Sequence, residues 1–252
     1  MSLKNKLKNH ELTIGTWLSF AHPAIAEIMS KAGFDWVVID LEHSSINIRE
    51  VEEMIRVIDL AGSVPLVRVS SNDPVQIKRV MDSGAHGLII PMVNSKEDVN
   101  KIVSAVHYPD KGTRGVGLAR AQGYGARFHD YMEWLKKEAV IIVQIEHVDA
   151  LKNIKEILSC DDVDGYIIGP YDLSSTMGLP GQFNHPDIAE AFKSIREAGV
   201  RSKKPGGLHI VEPNPEELKS RINEGFLFLA YSVDERMLDV SCRVGLKTLD
   251  QI

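Results

Sequence analysis

Trp36-Val-Val-Ile-Asp-Leu-Glu-His43 is the stretch that decides the fold, because an unbroken apolar run is followed at once by acidic residues and a histidine. A short run of this kind, rich in Val and Ile, is typical of a parallel β-strand that is covered on both faces. In α/β proteins, functional groups follow the carboxyl ends of such strands. The stretch therefore predicts a buried strand that carries polar residues to a shared rim.

Seven further runs of mostly apolar residues recur along the chain, and helical patterns separate them. Several helices are predicted to begin at a capping residue, as at Asn47, at Asp73 before a proline, and at Ser95. Eight strands, each followed by a helix, predict a closed (β/α)8 barrel, or TIM barrel, rather than an open doubly wound sheet. The seven runs are Ile14–Leu18, Leu66–Val69, Gly87–Pro91, Val140–Ile145, Gly165–Ile168, Gly207–Val211 and Phe226–Tyr231.

Length and composition agree with one such barrel. The chain has 252 residues, 44% of them hydrophobic, and no linker divides it, so we expect a single domain over residues 1–252. A formal net charge of −6 gives no reason to expect nucleic acid or an anionic membrane as a partner. Two cysteines cannot build a disulfide framework or a cysteine-rich metal site. The lack of a signal-like or membrane-spanning apolar run makes a cytoplasmic location the expectation.

One long segment, at about residues 108–128, interrupts the alternation before the fifth strand. It contains five glycines and the arginines Arg114, Arg120 and Arg127. Loops of this length are usually functional or disordered. A flexible surface insertion is one interpretation. Because arginines and aromatic residues lie within the segment, we favour an ordered loop that covers the site.

Polar residues at the strand ends are the candidate functional groups. Asp40 and His43 follow the second run, Arg68 lies in the third, Glu146 follows the fifth, and Asp172 comes shortly after the sixth. Because the carboxyl ends of barrel strands meet at one face, we expect these side chains to converge there.

Simpler interpretations exist for each carboxylate. Asp40 or Asp172 alone could serve only as a helix cap, whereas Glu146 at the edge of an apolar core needs a partner to offset desolvation. A glutamate and an aspartate that converge with no protein cation beside them favour a hard, oxygen-ligated ion such as Mg²⁺ or Mn²⁺ over a purely structural cluster. His147 follows Glu146 directly, so strand alternation turns it away from the site and predicts a packing role.

Arg68 leaves two roles open, since burying it unpaired would be very costly. It either pairs with a protein carboxylate or holds a substrate carboxylate through two parallel hydrogen bonds. His43 and Asp82 pose the same choice between catalysis, as a general base and its orienting group, and a structural role. None of the eight apolar runs contains a lysine, so a Schiff-base mechanism lacks its nucleophile. A carbanion formed in this barrel would need a metal for its stabilisation.

Six motifs, in order along the chain, resemble those of the HpcH/HpaI class II aldolase family. Members of this family cleave 4-hydroxy-2-oxo acids to pyruvate and an aldehyde, or catalyse the reverse condensation, with Mg²⁺, Mn²⁺ or Co²⁺. The resemblance covers almost the whole chain and implies a metal-dependent carbon–carbon lyase. The motifs are Gly33–His43, Pro65–Val69, Val80–Gly84, Tyr108–Gly117, Gln144–Glu146 and Ile168–Ser174.

The resemblance also implies roles for individual residues. Glu146 and Asp172 would be the protein ligands of the metal, with pyruvate oxygens completing its coordination. Arg68 would bind the keto oxygen and stabilise the enolate. His43 would be the general base, acting through water, with Asp82 orienting it.

The surroundings of the substrate follow from the same resemblance. Asp40 would support the site, Gln144 would lie near the metal and its waters, and Arg120 with its loop would approach the aldehyde, partly across a subunit boundary. Family members form hexamers, trimers of dimers that exchange the last helix, so a homo-oligomer is implied. The backbone of one short segment would offer amides to the pyruvate carboxylate. This segment comprises Gly169, Pro170, Tyr171 and Asp172.

Departures from the family pattern concern selectivity rather than catalysis. Tyr171 stands where a small residue is usual, His147 where threonine is common, and Tyr231–Asp234 is a looser end to the eighth strand. Two other functions stay open at this point. An acyl-CoA lyase of the citrate-lyase β-subunit type would need a basic groove, for which Arg120 and Arg127 are the candidates. A ligand-binding barrel without catalysis would usually lack one of the groups that are present here.

Overall fold

The computed structural model describes residues 1–247 and shows eight parallel strands closed into a barrel in the order β1 to β8. The predicted (β/α)8 fold is confirmed. The last five residues of the predicted domain, 248–252, lie outside the described residues. The strands are β1 Thr13–Leu18, β2 Trp36–Asp40, β3 Val64–Arg68, β4 Gly87–Ile90, β5 Val140–Ile145, β6 Gly165–Ile168, β7 Gly206–Ile210 and β8 Phe228–Val233.

Helices follow every strand and form the outer layer, with a short extra helix after β6. A 3₁₀ turn at Arg120–Gln122 lies in the long loop before β5. None of the helices within residues 1–247 is long and apolar enough to cross a membrane. The helices are α1 Leu3–Lys8, α2 Pro23–Lys31, α3 Ile48–Ala61, α4 Pro74–Asp82, α5 Lys96–Val106, α6 Phe128–Glu138, α7 Val148–Leu158, α8 Pro170–Thr176, α9 Pro186–Ser202, α10 Pro215–Asn223 and α11 Asp234–Leu246.

The predicted helix starts are confirmed by their hydrogen bonds. The Asn47 side chain accepts from the backbone of α3, and Glu50 closes the capping box from the other side. Asp73 accepts from the Val75 amide, and Ser95 accepts from the Asp98 amide at 3.1 Å. Each cap satisfies a backbone donor that the first helical turn leaves without a partner, which is worth about 1 kcal/mol.

The core has two parts, one between sheet and helices and one inside the barrel. Inside the barrel, the rings of Trp36 and Phe228 stack at 4.1 Å. The first helix, α1, was not predicted; its Leu3 and Leu7 are buried against this inner cluster. Gly15 is required beside Trp36, because a Cβ there would lie 2.0 Å from the indole. These contacts fill the barrel interior and leave the carboxyl ends of the strands for the site.

The long loop at 108–128 does not cover the site of its own chain, which corrects the prediction. It joins α5 to α6, which precedes β5, and the connections that lead into a barrel strand lie at the amino ends of the strands, opposite the site. There Arg120 donates to the Ser83 carbonyl and to Asp59, at the end of α3. Buried Arg114 donates to Asp82 and to the Tyr131 hydroxyl. The arginines therefore fasten the loop to the amino end of the barrel.

Candidate active site

An arginine clamped between carboxylates lies at the centre of the candidate site. Asp40 and Arg68 end neighbouring strands and are register partners. Arg68 Nε donates to Asp40 Oδ1 at 2.9 Å, and Nη2 donates to Oδ2 at 2.7 Å. Its Nη1 lies 3.1 Å from Glu42 Oε2, and its guanidinium carbon lies 4.3 Å from the centre of the Trp17 ring. The fork is thus fixed in one orientation by two strands and an aromatic face.

The two acidic partners of Arg68 differ in pKa. Burial alone would raise the pKa of Asp40, but the hydrogen bonds and charge of Arg68 outweigh it and hold that pKa below its usual value. Burial raises the pKa of Glu42 to about 7, against the opposing charge of Arg68, and neighbouring carboxylates add to the rise. Glu42 Oε2 is buried and accepts no hydrogen bond. Asp40 is thus a fixed anion, and Glu42 is a carboxyl group poised to lose its proton near neutral pH.

Glu146 is held rigidly just beyond β5. It is 2% exposed, and it accepts from the Met92 amide at 2.7 Å and from the Gln144 side chain. Burial raises the pKa of Glu146 above its usual value, although both hydrogen bonds lower it. The Met92 backbone adopts a φ of 53°, unusual for a residue with a side chain. A buried carboxylate with raised pKa and a strained neighbour is a typical functional group.

Asp172 lies in the first turn of α8, beyond β6, and its side chain faces solvent. Its negative charge contributes to the raised pKa of both Glu42 and Glu146, so the three carboxyl groups share one region. Gly169 permits this arrangement, since a Cβ there would lie 2.6 Å from Glu146 Oε2. The structure therefore brings Glu146 and Asp172 together, as predicted.

The donor set suits a hard divalent cation. Carboxylate oxygens of Glu146 and Asp172, with the amide oxygen of Gln144 nearby, are the ligand types that Mg²⁺ and Mn²⁺ prefer. Within residues 1–247 no cluster of three or more His, Cys, Asp or Glu side chains is arranged to hold a metal. A site with two protein carboxylates, in which substrate oxygens complete the coordination, does not need such a cluster. Arg68 lowers the pKa of Glu146, so a protein cation does lie near the pair, contrary to the expectation.

The two predicted histidines differ in position. His43 lies on the loop after β2, with 68% of its side chain exposed and its Nε2 3.9 Å from Glu42 Oε2. It is accessible to a substrate or water at the rim. His147 instead caps α7, where its Nδ1 accepts from the Asp149 amide. It neither packs in the core nor faces the carboxylates.

Asp82 and Arg120 lie at the other end of the barrel. Asp82 is the last residue of α4 and accepts from Arg114 at 3.0 Å, so it does not orient His43 within one chain. Arg120 lines a cavity of about 590 Å³ with His86, Tyr124 and Trp134. None of the converging carboxylates lines this cavity. Either residue can reach a rim site only in a neighbouring subunit.

Three participants were missed in the sequence. Glu42 lies inside the quoted motif but beyond the last residue of β2, so the strand pattern alone did not fix the direction of its side chain toward Arg68. Trp17 lies within an apolar run and looked like core. Met92 contributes only its backbone amide, which no side-chain pattern signals. Of the three, only Glu42 carried a usable signal, as a second acid two residues after Asp40.

Comparisons with known proteins identify the family of the chain. The HpcH/HpaI aldolase/citrate lyase family matches residues 13–239. The 4-hydroxy-2-oxo-heptane-1,7-dioate aldolase of Shigella sonnei (strain Ss046) is 41% identical over 243 residues, which cover 94% of this chain and 90% of that protein.

Two solved structures share the fold over nearly the full length. A HpcH/HpaI aldolase from Desulfitobacterium hafniense DCB-2 superposes with a TM-score of 0.90 at 31% identity, covering 100% of this chain and 98% of that one. A family protein from Burkholderia cenocepacia J2315 gives a TM-score of 0.92 at 29% identity, with 98% of each chain covered. On the family match, the identity and the coverage, the chain belongs to the HpcH/HpaI aldolase/citrate lyase family.

Proposed function

We propose that this protein is a metal-dependent aldolase that cleaves a 4-hydroxy-2-oxo acid to pyruvate and an aldehyde, and catalyses the reverse condensation. Its relatives support the carbon–carbon lyase class. The observation that carries the proposal is the convergence of Arg68, Glu146 and Asp172 on one rim of a barrel whose eight strands contain no lysine. Without a lysine for a Schiff base, charge on the substrate oxygen must be stabilised by cations.

Glu146 and Asp172 would hold the divalent metal, of which Mg²⁺, Mn²⁺ and Co²⁺ are candidates. When bound, the cation draws electron density from the keto group of the 2-oxo acid and so favours the enolate. Gln144 donates to Glu146 and fixes its orientation, as partners of ligating carboxylates usually do. Gly169 lies directly against Glu146, since a Cβ at this position would be 2.6 Å from Glu146 Oε2.

Arg68 supplies the second positive charge. Its Nε and Nη2 donate hydrogen bonds to Asp40, whereas Nη1 makes no hydrogen bond to that residue. Because the fork is preorganised, it can bind the enolate oxygen without losing rotamer freedom during the reaction. Of the two roles left open for Arg68, the pairing with a protein carboxylate is the one its contacts with Asp40 support, and the substrate group that we propose for it is the enolate oxygen rather than a carboxylate.

His43 is the proposed general base, acting through a water molecule. In cleavage it removes the proton of the C4 hydroxyl, the C3–C4 bond breaks, the aldehyde leaves, and the bonding electron pair remains on C3 as the enolate of pyruvate. A proton then returns to C3. Glu42, 3.9 Å from His43 Nε2, is a carboxyl group through which that proton can pass.

The remaining predictions concern assembly. Asp82 and Arg120 lie at the amino end of their own barrel, so we propose that they serve the site of a neighbouring subunit in a homo-oligomer, a hexamer built from dimers. Exposed Leu238 and Val244 on α11 give that helix an apolar surface for a partner. Exchange of this last helix between subunits is part of the same proposal.

The acyl-CoA lyase alternative is not favoured. The curated relative that is 41% identical over 94% of this chain is a 4-hydroxy-2-oxo-heptane-1,7-dioate aldolase. A non-catalytic barrel is equally disfavoured, since every proposed catalytic group at the rim is present.

The test is pyruvate release from 4-hydroxy-2-oxopentanoate, followed with lactate dehydrogenase and NADH. EDTA should abolish release, and added Mn²⁺ or Mg²⁺ should restore it. Full activity in chelator would exclude the metal-dependent mechanism. No release with any 4-hydroxy-2-oxo acid in the presence of metal would exclude the aldolase itself.

A further inference from the structure

His209, on β7, is a histidine to which the proposed mechanism gives no role. Its neighbours Leu208 and Ile210 pack in the core between sheet and helices, so alternation along the strand turns the His209 side chain into the barrel. His209 is partly exposed, and the charges of Arg68 and Asp40 both act on its pKa. The imidazole therefore lies in the mouth of the barrel, near the pair at the centre of the candidate site.

One hydrogen bond anchors the imidazole to the end of β8. His209 Nε2 lies 3.1 Å from the carbonyl oxygen of Ser232. Because a carbonyl oxygen only accepts, Nε2 carries the hydrogen and donates it. Burial lowers the pKa of His209 to about 4, although the bond to Ser232 opposes this, and the charge of Arg68 adds to the fall. The ring is therefore neutral near neutral pH and brings no second positive charge next to Arg68.

The Ser232 carbonyl is itself held in place. Ser232 has a φ of 56°, in the left-handed region, and the pairing of β1 with β8 shifts register between Gly15 and Trp17. Thr16 Oγ1 donates to the same carbonyl at 3.3 Å, and Ser232 Oγ donates to the Val211 carbonyl at 2.9 Å. Bulges and strained residues are frequent beside active sites. The hydrogen bond of His209 thus ends at a fixed point.

The ring of Trp17 contacts both His209 and Arg68. The centroids of the His209 and Trp17 rings are 5.2 Å apart, with planes inclined at 31°. The guanidinium carbon of Arg68 lies 4.3 Å from the centre of the Trp17 ring. Within residues 1–247, Trp17 Nε1 is buried and has no hydrogen-bond partner. Because no hydrogen bond orients the indole, its orientation depends on packing, and His209 is part of that packing.

Asp40 alone leaves one movement of Arg68 free. Its hydrogen bonds hold Nε and Nη2, which form one edge of the planar guanidinium. A tilt about that edge moves Nη1 most, and Nη1 is the nitrogen that we propose for the enolate oxygen. Glu42 reaches Nη1 only from the loop after β2, whereas the face of Trp17 opposes the tilt directly. A misplacement of about 1 Å in an active site can cost about 100-fold in rate.

We infer that His209 is a positioning residue for the reaction: through the ring of Trp17 it keeps the Arg68 guanidinium at the angle at which Nη1 meets the substrate oxygen. The inference rests on the proposed aldolase function and adds a residue to the same site. Within residues 1–247, no hydrogen bond or ring contact joins His209 to Glu146 or Asp172. The affinity for metal should therefore not depend on His209.

Exchange of the pyruvate methyl protons with deuterium, followed by NMR with Mg²⁺, isolates the step at which Arg68 acts. His209→Leu should lower kcat for exchange by at least about tenfold. Its KM for pyruvate should stay within about threefold of wild type, because Arg68 binds the enolate more strongly than the keto group. Ile210→Val is the matched control, since it makes a small cavity on the opposite face of the same strand and should keep kcat within about twofold.

Two Trp17 variants test the same contacts from the other side. Trp17→Phe keeps an aromatic face on the guanidinium, whereas Trp17→Leu removes it. The kcat for exchange of Trp17→Phe should therefore exceed that of Trp17→Leu by at least about threefold. Calorimetric titration with Mn²⁺ should give the wild-type affinity in His209→Leu and in both Trp17 variants.

Arg68→Lys separates positioning from general damage to the fold. Lysine keeps the positive charge but has no guanidinium plane to orient. In the Arg68→Lys background, His209→Leu should change kcat for exchange by less than about threefold, because the group that it positions is absent. The same loss in both backgrounds would mean that His209 acts independently of Arg68 and would overturn the inference.

Three other results would also overturn it. They are a wild-type kcat in His209→Leu, equal kcat in the two Trp17 variants, and a loss of Mn²⁺ affinity in His209→Leu that accounts for its lost activity. Failure of the aldolase proposal is distinguishable from these results. Absence of exchange in the wild-type protein with Mg²⁺ contradicts both proposals, whereas wild-type exchange that His209→Leu leaves unchanged contradicts only the positioning role.

Discussion

Asp40 and Arg68 face each other across β2 and β3 and are joined by two hydrogen bonds of 2.9 and 2.7 Å. The register of the two strands places the carboxylate and the guanidinium side by side before any substrate is present. The pair is mostly buried, so neither partner can be removed without leaving the other charge uncompensated. In the proposed mechanism, Arg68 therefore needs no ordering before it acts on a substrate oxygen.

Replacing Arg68 should therefore affect both stability and catalysis. Arg68→Ala should raise the activation barrier by about 3 kcal/mol or more, because a donor to the enolate oxygen is lost. It should also lower the free energy of unfolding by about 3 kcal/mol, since Asp40 is left buried and unpaired. Arg68→Lys keeps the charge but not the fork, so it should recover more stability than kcat. Steady-state kinetics and urea denaturation measure the two effects, and near wild-type kcat in Arg68→Ala would make the residue structural only.

Gly169 should control metal affinity through a single contact. Its φ of −96° suits alanine, but the added Cβ would lie 2.6 Å from Glu146 Oε2 and push that carboxylate aside. Gly169→Ala should weaken Mn²⁺ binding by about tenfold or more, as displaced supports of metal ligands usually do. Calorimetric titration with Mn²⁺ measures this.

Gly33→Ala is the control for the glycine substitution. Gly33 has a φ of +102° with nothing within 4 Å, so the variant should lose about 1 kcal/mol of stability through backbone strain. Its Mn²⁺ affinity should stay at the wild-type value. Equal Mn²⁺ affinities in the two variants would contradict the proposed position of the metal.

Glu42 should make the metal-free protein less stable as the pH rises. Burial raises its pKa from 4.5 to about 7, so the folded state keeps a proton that the unfolded chain releases. The contribution of Glu42 to the free energy of unfolding is then largest below about pH 4.5. It falls as the pH rises to about 7, by at most about 3 kcal/mol. Denaturation in EDTA across this range should show the fall, and Glu42→Gln should flatten it. A wild-type slope in Glu42→Gln would assign the effect to another carboxyl group.

Asp82 and His43 provide a test of the proposed assembly. If a neighbouring subunit's Asp82 orients His43, mixed oligomers of His43→Ala and Asp82→Asn contain some sites with both residues intact. Mixing the two variants after dissociation and reassembly should recover a measurable part of the wild-type activity, well above that of the same amount of Asp82→Asn alone. A mixture of Asp82→Asn with the double variant, in which no subunit carries Asp82, should show no such gain. A gain of zero in the first mixture would contradict the sharing of Asp82 between subunits.

Much of the fold could be predicted because its signals are local. Every predicted strand end lies within two residues of the observed one, since buried parallel strands are marked by apolar runs and bounded by capped helices. Helix α1 escaped prediction because six residues carry too little periodicity, although Leu3 and Leu7 close the barrel.

The candidate site was predictable only in part. Strand ends located Asp40, Arg68 and Glu146, because topology alone brings these positions together. Asp82 and Arg120 lie at the amino end of the barrel because each lies at or beyond the end of a helix and before the next strand. Their residue types, a carboxylate and an arginine, do not reveal this position. The contact of Glu42 with Arg68 depends on the conformation of the loop after β2, and the contact of Trp17 with the Arg68 guanidinium depends on side-chain conformation. Neither contact can be read from the sequence pattern.

The most direct measurement of the central claim is exchange of the pyruvate methyl protons with deuterium, followed by NMR with Mg²⁺ in Glu146→Gln and Asp172→Asn. Enolate formation is observed here without any second substrate, so acceptor choice cannot affect the result. We predict exchange in the wild-type protein with Mg²⁺, none after EDTA, and loss of at least about 100-fold in either variant. Exchange at the wild-type rate in EDTA, or in both variants, would contradict a metal held by Glu146 and Asp172.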